Sequence, residues 1–264
     1  MRPAPSDRLL AEDFDSERYP PDNLSFWIRW LVELGDLRRG QRVLDVGCGT
    51  GGFTIAIAEA TGAQVVGCDR SRSFLEYART KSAAVEWVQG DAESLPFADS
   101  SFERVVMSLL LHQLSEPARA VAEAFRVLRR PGALVVRTVL PDDAATRIPF
   151  RFFPTLARVQ AEQMPSLEDV TAWMRAAGFD GVRSRQVFRN KRLELGAVEA
   201  HLRKEVAHRY PFLGKEELED GLRRMREKWD GRPDPRPVTF VVAEKRSLRC
   251  RSWTSTTASS SSWR

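Results

Sequence analysis

A regular alternation of short apolar segments with helical segments constrains the fold of this chain more than any other feature of its sequence. The apolar segments at residues 43–46, 65–68 and 133–136 are nearly free of charged side chains, as strands covered on both faces are. Segments of roughly ten residues with helical periodicity separate them. Parallel strands need such crossover helices, so the pattern predicts a doubly wound α/β sheet.

Domain boundaries are expected where this pattern starts and stops. Residues 1–22 lack periodicity and are interpreted as an N-terminal arm. We expect one domain over residues 23–246, with a substrate-side helical insert near residues 141–165 and 195–229. The tail, residues 247–264, is of low complexity and lacks acids, so we expect it to be disordered.

Capping and stop residues indicate where several helices begin and end. Ser71 and Ser166 are expected as N-caps. The helix that begins at Pro117 is expected to end at Pro131-Gly132. The insert over residues 195–229 is interpreted as long, helical and charged.

Cysteine use and hydropathy indicate the compartment. Cys48, Cys68 and Cys250 have no paired spacing, which argues against a disulfide framework or a zinc site and favours a reducing compartment. The first twenty residues are charged and proline-rich, unlike a signal peptide, and the longest apolar stretches are too short to span a bilayer. We therefore expect a cytoplasmic protein without membrane insertion and without a metal site.

The net charge of +5 is unevenly distributed along the chain. Residues 1–182 carry 21 basic and 25 acidic side chains, whereas residues 183–264 carry 20 basic and 11 acidic ones. This basic C-terminal third fits either an acidic partner, such as a nucleic acid, or a solvated arginine-rich helical face. Acids are interleaved with the bases here, which favours the solvated face.

A glycine-rich turn follows the first predicted strand. Gly47, Gly49 and Gly52 satisfy the G-x-G-x-x-G pattern of dinucleotide-binding proteins, and Asp69 follows Gly47 by 22 residues. Glycines at this place let a backbone approach a ligand closely. The pattern alone therefore fits a nicotinamide dinucleotide as well as other nucleoside cofactors.

Acids at the ends of successive strands discriminate between these cofactors. Asp45 stands two residues before the turn, where a carboxylate would repel a pyrophosphate but would complement the sulfonium and ammonium groups of S-adenosylmethionine (SAM). Asp69 and Asp91 end the next two strands, and a carboxylate can accept a hydrogen bond from the adenine amino group. The three acids together favour SAM.

The segments DVGCGTGG, GDAESLPFADSSFERVVMSLLLHQL and RVLRRPGAL, with the strand that ends at Asp69, resemble the class I SAM-dependent methyltransferases. The likeness covers roughly residues 40–140. It is nearest to the methyltransferase type 11 subgroup, which is similar to ubiquinone/menaquinone and trans-aconitate methyltransferases. The resemblance implies a Rossmann-like, doubly wound sheet of seven strands, mostly parallel with an antiparallel last strand, and helices on both faces.

The resemblance also implies a set of cofactor-binding residues by position. The glycine motif would hold the methionine part of SAM. The acid at the end of the second strand would bind the ribose hydroxyls, and the pair of residues after the third strand would bind the adenine. The loop after the fourth strand would lie near the methionine part, and an N-terminal signature, compressed here to RYPP, would fold over the cofactor. These positions are Asp45, Gly47, Gly49, Gly51, Asp69, Arg70, Asp91, Ala92, Ser108, Leu109 and Tyr19.

Methyl transfer from a sulfonium needs chiefly alignment of the acceptor and exclusion of water, so no general base is required by the sequence. His112 is the candidate catalytic residue, because it is expected near the reactive end of the cofactor. Phe150, Phe152 and Phe153 with Met164 either roof a substrate pocket or pack the insert onto the sheet. The basic residues around Arg203 and Arg209 are a hypothetical contact for an anionic substrate.

These observations lead to a small-molecule methyltransferase as the main hypothesis, with a small-molecule methyl acceptor as partner. An RNA-directed methyltransferase, a NAD-dependent oxidoreductase and a SAM-binding protein without turnover are the alternatives. No recognisable RNA-binding module supports the first alternative, and Asp45 and Asp91 argue against the second. The oligomeric state and the chemistry of the acceptor are left open.

Overall fold

The computed structural model of the protein describes residues 11–12, 15, 19–147, 149–208, 210 and 212–247. Most of the predicted arm, including Arg18, lies outside the described residues. The same is true of Arg209, of Cys250 and of all but the first residue of the predicted disordered tail. The proposed division into arm, domain and tail therefore stays a prediction.

Strands in the described part of the chain pair into one seven-stranded sheet in the order β3-β2-β1-β4-β5-β7-β6. All neighbouring pairs among β1 to β5 are parallel, whereas β7 is antiparallel to both β5 and β6. The predicted Rossmann-like class with an antiparallel last strand is thereby confirmed. The strands are β1 Arg42–Val46, β2 Gln64–Asp69, β3 Glu86–Gln89, β4 Phe102–Ser108, β5 Leu128–Thr138, β6 Asp180–Lys191 and β7 Asp234–Lys245.

Helices connect these strands and continue into the insert. Two short 3-10 helices, Leu111–Gln113 after β4 and Pro149–Phe152 in the insert, are also present. The α-helices are α1 Pro21–Gly35, α2 Gly52–Thr61, α3 Arg72–Lys81, α4 Pro117–Val127, α5 Pro141–Thr146, α6 Pro154–Gln163, α7 Leu167–Ala176, α8 Leu195–His208 and α9 Lys215–Lys228.

The sheet is covered on both faces because its strands are apolar on both sides. Along β1, Leu44 and Val46 belong to a buried cluster with α4 and α7, while Val43, which precedes them, belongs to a cluster with α1 and α2. This alternation follows the period of two of a strand. The predicted N-caps also form: the Ser71 side chain accepts from the Phe74 amide, and Ser166 makes a reciprocal capping box with Asp169.

One predicted helix boundary is wrong. The helix from Pro117 ends at Val127 rather than at Pro131-Gly132, because Leu128 already pairs with Phe102 as the first residue of β5. The buried Lys245 ammonium favours this end, since it donates to the carbonyl oxygens of Phe125 and Leu128 at 2.6 and 2.7 Å. The segment 195–229, for which the sequence predicts a helical insert, forms the two helices α8 and α9.

The insert has a hydrophobic core of its own. Phe153 and Leu156 are fully buried against residues of α8 and α9, among them Leu202 and Leu222. Met164 packs against the cluster on the sheet that contains Leu109 and Tyr19, and Phe150 packs against both clusters. Phe153 therefore packs within the insert itself, which neither of the two interpretations of the aromatic segment included.

A membrane-spanning helix is not found in the described part of the chain, where every helix is too short or too polar to cross a bilayer.

Two helical glycines of the insert should respond oppositely to alanine. A Cβ at Gly221 in α9 would lie 2.2 Å from the buried Phe153 ring, whereas a Cβ at Gly196 in α8 meets nothing within 4 Å. We expect Gly221→Ala to lower the free energy of unfolding by about 2 kcal/mol or more. Gly196→Ala should raise it by about 0.5–1 kcal/mol through helix propensity. Urea denaturation measures both, and a change of the same sign in both variants would contradict this packing.

Candidate functional site

A cavity of about 350 Å³ lies at the carboxyl ends of β1, β2 and β4, where ligands bind in open α/β sheets. Ten of the twelve residues predicted as a site from the sequence line it. These are Tyr19, Asp45, Gly47, Gly49, Asp69, Arg70, Asp91, Ala92, Ser108 and Leu109.

The glycine turn between β1 and α2 closes one wall of the cavity. The amides of Gly47 and Cys48 both donate to the Cys68 carbonyl at 2.8 and 3.1 Å, which ties the turn to the end of β2. Gly47 has a φ of +70°, and a Cβ there would lie 2.6 Å from the Leu110 side chain. Only glycine fits this approach of the turn to the loop after β4.

Asp69 links two backbone segments around the cavity. Its Oδ2 accepts from the Gly49 amide and its Oδ1 from the Ser71 amide, both at 2.8 Å. The carboxylate is thus fixed between the glycine turn and the N-terminus of α3. Each carboxylate oxygen has a second lone pair that can accept from a ligand hydroxyl.

Asp45 is a buried carboxyl at the floor of the cavity, with 1% of its surface exposed. Its Oδ2 accepts a hydrogen bond from the Thr54 hydroxyl at 2.7 Å. Burial raises the pKa of Asp45 from 3.8 to about 7; the Thr54 hydrogen bond opposes this shift, and the nearby negative charge of Asp69 adds to it. Near neutral pH the group is therefore poised to lose its proton when a cation approaches.

The residues after β3 form the opposite end of the cavity. Asp91 is exposed, and its Oδ1 accepts from the Glu93 amide at 2.9 Å, while Ala92 is buried beside it. Arg70 is exposed at the end of β2, and its carbonyl accepts from the Gln89 side chain at 3.1 Å. This end combines an apolar surface with an acceptor at its rim, which suits the edge of a planar heterocycle.

The loop after β4 is held in a strained conformation. Leu109 has a φ of +54°, which is uncommon for a residue with a side chain. Its amide donates to the Arg137 carbonyl at 2.7 Å, and the Arg137 guanidinium donates to the Ser108 hydroxyl at 3.1 Å. One residue of β5 therefore fixes both loop residues.

Arg137 is a site-supporting residue that the sequence reasoning missed. It is only 5% exposed, and its guanidinium lies 4.5 Å from the ring centroid of Trp27 and 5.2 Å from that of Phe53. Both rings can stabilise the buried cation. The sequence signal that could have identified Arg137 is its position as the lone arginine within the apolar strand ALVVRTVL.

The contact with Tyr19 explains why the third position of the G-x-G-x-x-G pattern, Gly52, is a glycine. A Cβ at Gly52 would lie 2.5 Å from the Tyr19 ring, which also meets Phe53 edge-on with centroids 5.7 Å apart. Gly52 thus makes room for an aromatic residue at the start of α2. It does so where a dinucleotide-binding protein would place a phosphate.

Gly51 and His112 are not among the residues around the cavity. Gly51 has a φ of +82°, and a Cβ there would lie 2.3 Å from the Trp87 ring, so its place is in the packing beneath the turn. His112 belongs to the 3-10 helix Leu111–Gln113, of which Gln113 lines the cavity instead. The prediction for His112 stays a prediction.

Other lining residues were also not anticipated from the sequence. Most are apolar or uncharged residues of the loops and helix starts around the cavity, which carry no motif of their own. They are Cys48, Phe53, Ser71, Phe74, Gly90, Glu93, Leu110, Gln113, Leu114 and Ser115.

Comparison with known sequences identifies related proteins. A family model described as a methyltransferase domain matches residues 44–136. A demethylmenaquinone methyltransferase of Clavibacter sepedonicus is 33% identical over 170 residues, which are 56% of this chain and 69% of that protein. One of Paenarthrobacter aurescens is 38% identical over 110 residues, 42% of this chain and 43% of that protein. The chain spans somewhat less than half the length of several such relatives.

Comparison with solved structures supports the fold. A crystal structure of an Anabaena variabilis protein from an antibiotic biosynthesis pathway matches with a TM-score of 0.66 at 20% identity. The match covers 82% of this chain and 96% of that chain. At this identity the likeness shows the fold alone.

The raised pKa of Asp45 should make stability depend on pH. The folded protein keeps this proton up to about pH 7, whereas the unfolded chain releases it near 3.8, so stability falls as pH rises between these values. We expect Asp45→Asn, which stays neutral, to remove a decrease on the order of 2–4 kcal/mol between pH 4.5 and 8. Denaturant unfolding at several pH values measures it, and parallel profiles of the two proteins would contradict the shift.

Proposed function

Because the chain belongs to the class I SAM-dependent methyltransferases, we propose that it transfers the methyl group of SAM to a small-molecule acceptor by direct displacement. One observation carries the proposal: three acids that end successive strands, Asp45, Asp69 and Asp91, line a single cavity with the glycine turn. A nicotinamide dinucleotide would place its pyrophosphate beside Asp45, where like charges repel.

The cavity residues fit the parts of SAM one by one. Asp45 and the Gly47–Gly49 turn would face the positively charged methionine end. Asp69, fixed by two backbone amides, offers its remaining lone pairs to the ribose hydroxyls. Asp91 and Ala92 would bind the adenine, with Arg70 beside it. Tyr19, which packs against Gly52 at the start of α2, would cover the cofactor.

The cofactor supplies an activated methyl group, so the protein's own task is alignment and exclusion of water. The Ser108-Leu109 loop, clamped by Arg137, presents fixed backbone groups at the cavity wall. Phe53, Leu110 and Leu114 give that wall an apolar surface that excludes water from the transfer step. Removal of a proton from the acceptor, where needed, is the role we retain for His112.

The acceptor is proposed only as a small molecule. The matched family segment, residues 44–136, ends before the insert begins at α5. The relatives' names specify demethylmenaquinone for those proteins, and the insert of this chain lies outside the family segment. The acceptor side is therefore where this chain can differ from them.

A reducing, cytoplasmic location fits the two described cysteines. Cys48 and Cys68 are buried and free. Burial is the main cause that raises the pKa of Cys68 to about 12, so the group remains a thiol at physiological pH.

Calorimetry with SAM and S-adenosylhomocysteine tests the cofactor assignment. We expect binding in the micromolar range and a loss of about tenfold or more in Asp69→Asn, because the carboxylate loses charge-assisted hydrogen bonds. Asp180→Asn removes an equal charge from an exposed residue at the opposite end of the sheet and should bind normally. Absence of SAM binding, or NADH binding that Asp69→Asn weakens, would refute the proposal.

Proton release on binding tests the role of Asp45. A cation beside this carboxyl lowers its pKa from about 7, so SAM binding should release a fraction of a proton at pH 7 and strengthen as pH rises from 6 to 8. The binding enthalpy, measured in buffers of different ionisation enthalpy, reports the released proton. Asp45→Asn should remove most of it, and an unchanged release in this variant would assign the proton to another group.

Transfer of labelled methyl groups from SAM into a metabolite extract tests turnover and identifies the acceptor. Labelling that Asp69→Asn abolishes supports the enzyme. Tight SAM binding without labelling of small molecules would favour the SAM-binding protein without turnover, and labelling of RNA would favour the nucleic-acid methyltransferase.

A further inference from the structure

A second cavity, of about 460 Å³, lies in the insert and shares no residue with the proposed cofactor cavity. It is bounded by the 3-10 helix Pro149–Phe152, the C-terminal end of α9 and the chain that leads into β7. The lining residues are Arg151, Phe152, Arg224, Lys228, Trp229, Asp230, Arg232, Pro233 and Pro235.

Positive charge dominates this second cavity. It is lined by four cations and one acid. Two of the cations have acidic partners: Arg224 lies 2.9 Å from Asp220, and Arg232 lies 3.0 Å from Asp230. Arg151 and Lys228 are exposed, and neither has an ion pair with the described residues. These two charges are therefore available to a ligand.

The chain that leads from the cavity into β7 carries a further ion pair. The fully buried Asp234 lies between the lining residues Pro233 and Pro235 in sequence, and Arg236 pairs with it at 2.9 Å. Because Arg236 compensates the charge of this acid, the excess of positive charge in the cavity wall remains that of the lining residues.

Shape and apolar surface indicate what kind of anion fits. Trp229 and Phe152 are half-buried in the cavity wall, and two prolines stiffen the chain beside them. Arg224 is held in place by a 2.8 Å hydrogen bond from its guanidinium to the Phe152 carbonyl. A guanidinium presents paired donors that match phosphate oxygens, and aromatic side chains suit an attached organic group.

We propose that this cavity binds the diphosphate group of a small organic diphosphate, through Arg151, Arg224 and Lys228, with Trp229 against its organic part. A diphosphate carries at least two negative charges and can therefore neutralise both cations that lack an acidic partner among the described residues, whereas a single carboxylate carries only one. The site is independent of SAM binding, so it neither needs nor tests the proposed methyl transfer.

Calorimetry of the full chain with inorganic pyrophosphate, at low ionic strength, tests the site. We expect submillimolar binding that weakens with added salt, and weaker binding of inorganic phosphate. The double variant Arg151→Gln/Lys228→Gln should bind pyrophosphate about tenfold more weakly or worse. Its midpoint of urea denaturation should be unchanged, which shows that the variant is folded.

A matched control removes two positive charges elsewhere. Arg175 and Lys215 are exposed residues of α7 and α9 that do not line the cavity. Arg175→Gln/Lys215→Gln should bind pyrophosphate as the unmodified protein does. Equal weakening in both double variants, or no pyrophosphate binding at all, would overturn the proposal. So would a single-stranded RNA that binds more tightly than pyrophosphate and is lost in the cavity variant, because the surface would then serve a nucleic acid.

Discussion

The pair of hydrogen bonds that the Asp69 carboxylate accepts from the amides of Gly49 and Ser71 is the interaction on which the site depends. It joins the turn after β1 to the start of α3, two segments that are separate along the chain. It adds to the hydrogen bonds from the Gly47 and Cys48 amides to the Cys68 carbonyl, which tie the same turn to the end of β2. The same carboxylate lines the cavity, so one group serves both the local structure and the proposed contact with the cofactor.

The opposite wall is fixed by a cation rather than by an acid. Arg137 reaches from β5 between the rings of Trp27 and Phe53 and holds Ser108, while its carbonyl holds Leu109. The strained Leu109 is kept in place by this clamp. Because Trp27 belongs to α1 and Phe53 to α2, the helices on one face of the sheet determine the shape of the cofactor cavity.

The insert is energetically distinct from the sheet. Its helices share a hydrophobic cluster around Phe153 and Leu222, and Phe150 packs against this cluster as well as against the one on the sheet. The basic cavity beside Trp229 belongs to the insert, whereas the matched family segment ends at residue 136.

The sequence by itself determined the sheet, the glycine turn and the acids at the strand ends, because strand period, caps and strand-end motifs are local signals. It misplaced the end of α4, since the pairing of Leu128 with Phe102 is a contact between distant residues. Only the tertiary structure showed that Gly51 packs against Trp87 and Gly52 against Tyr19. Only it showed that Asp45 is buried, which raises its pKa. It also placed Gln113, rather than His112, at the cavity. Close approach and desolvation depend on which segments meet, and no local pattern encodes that.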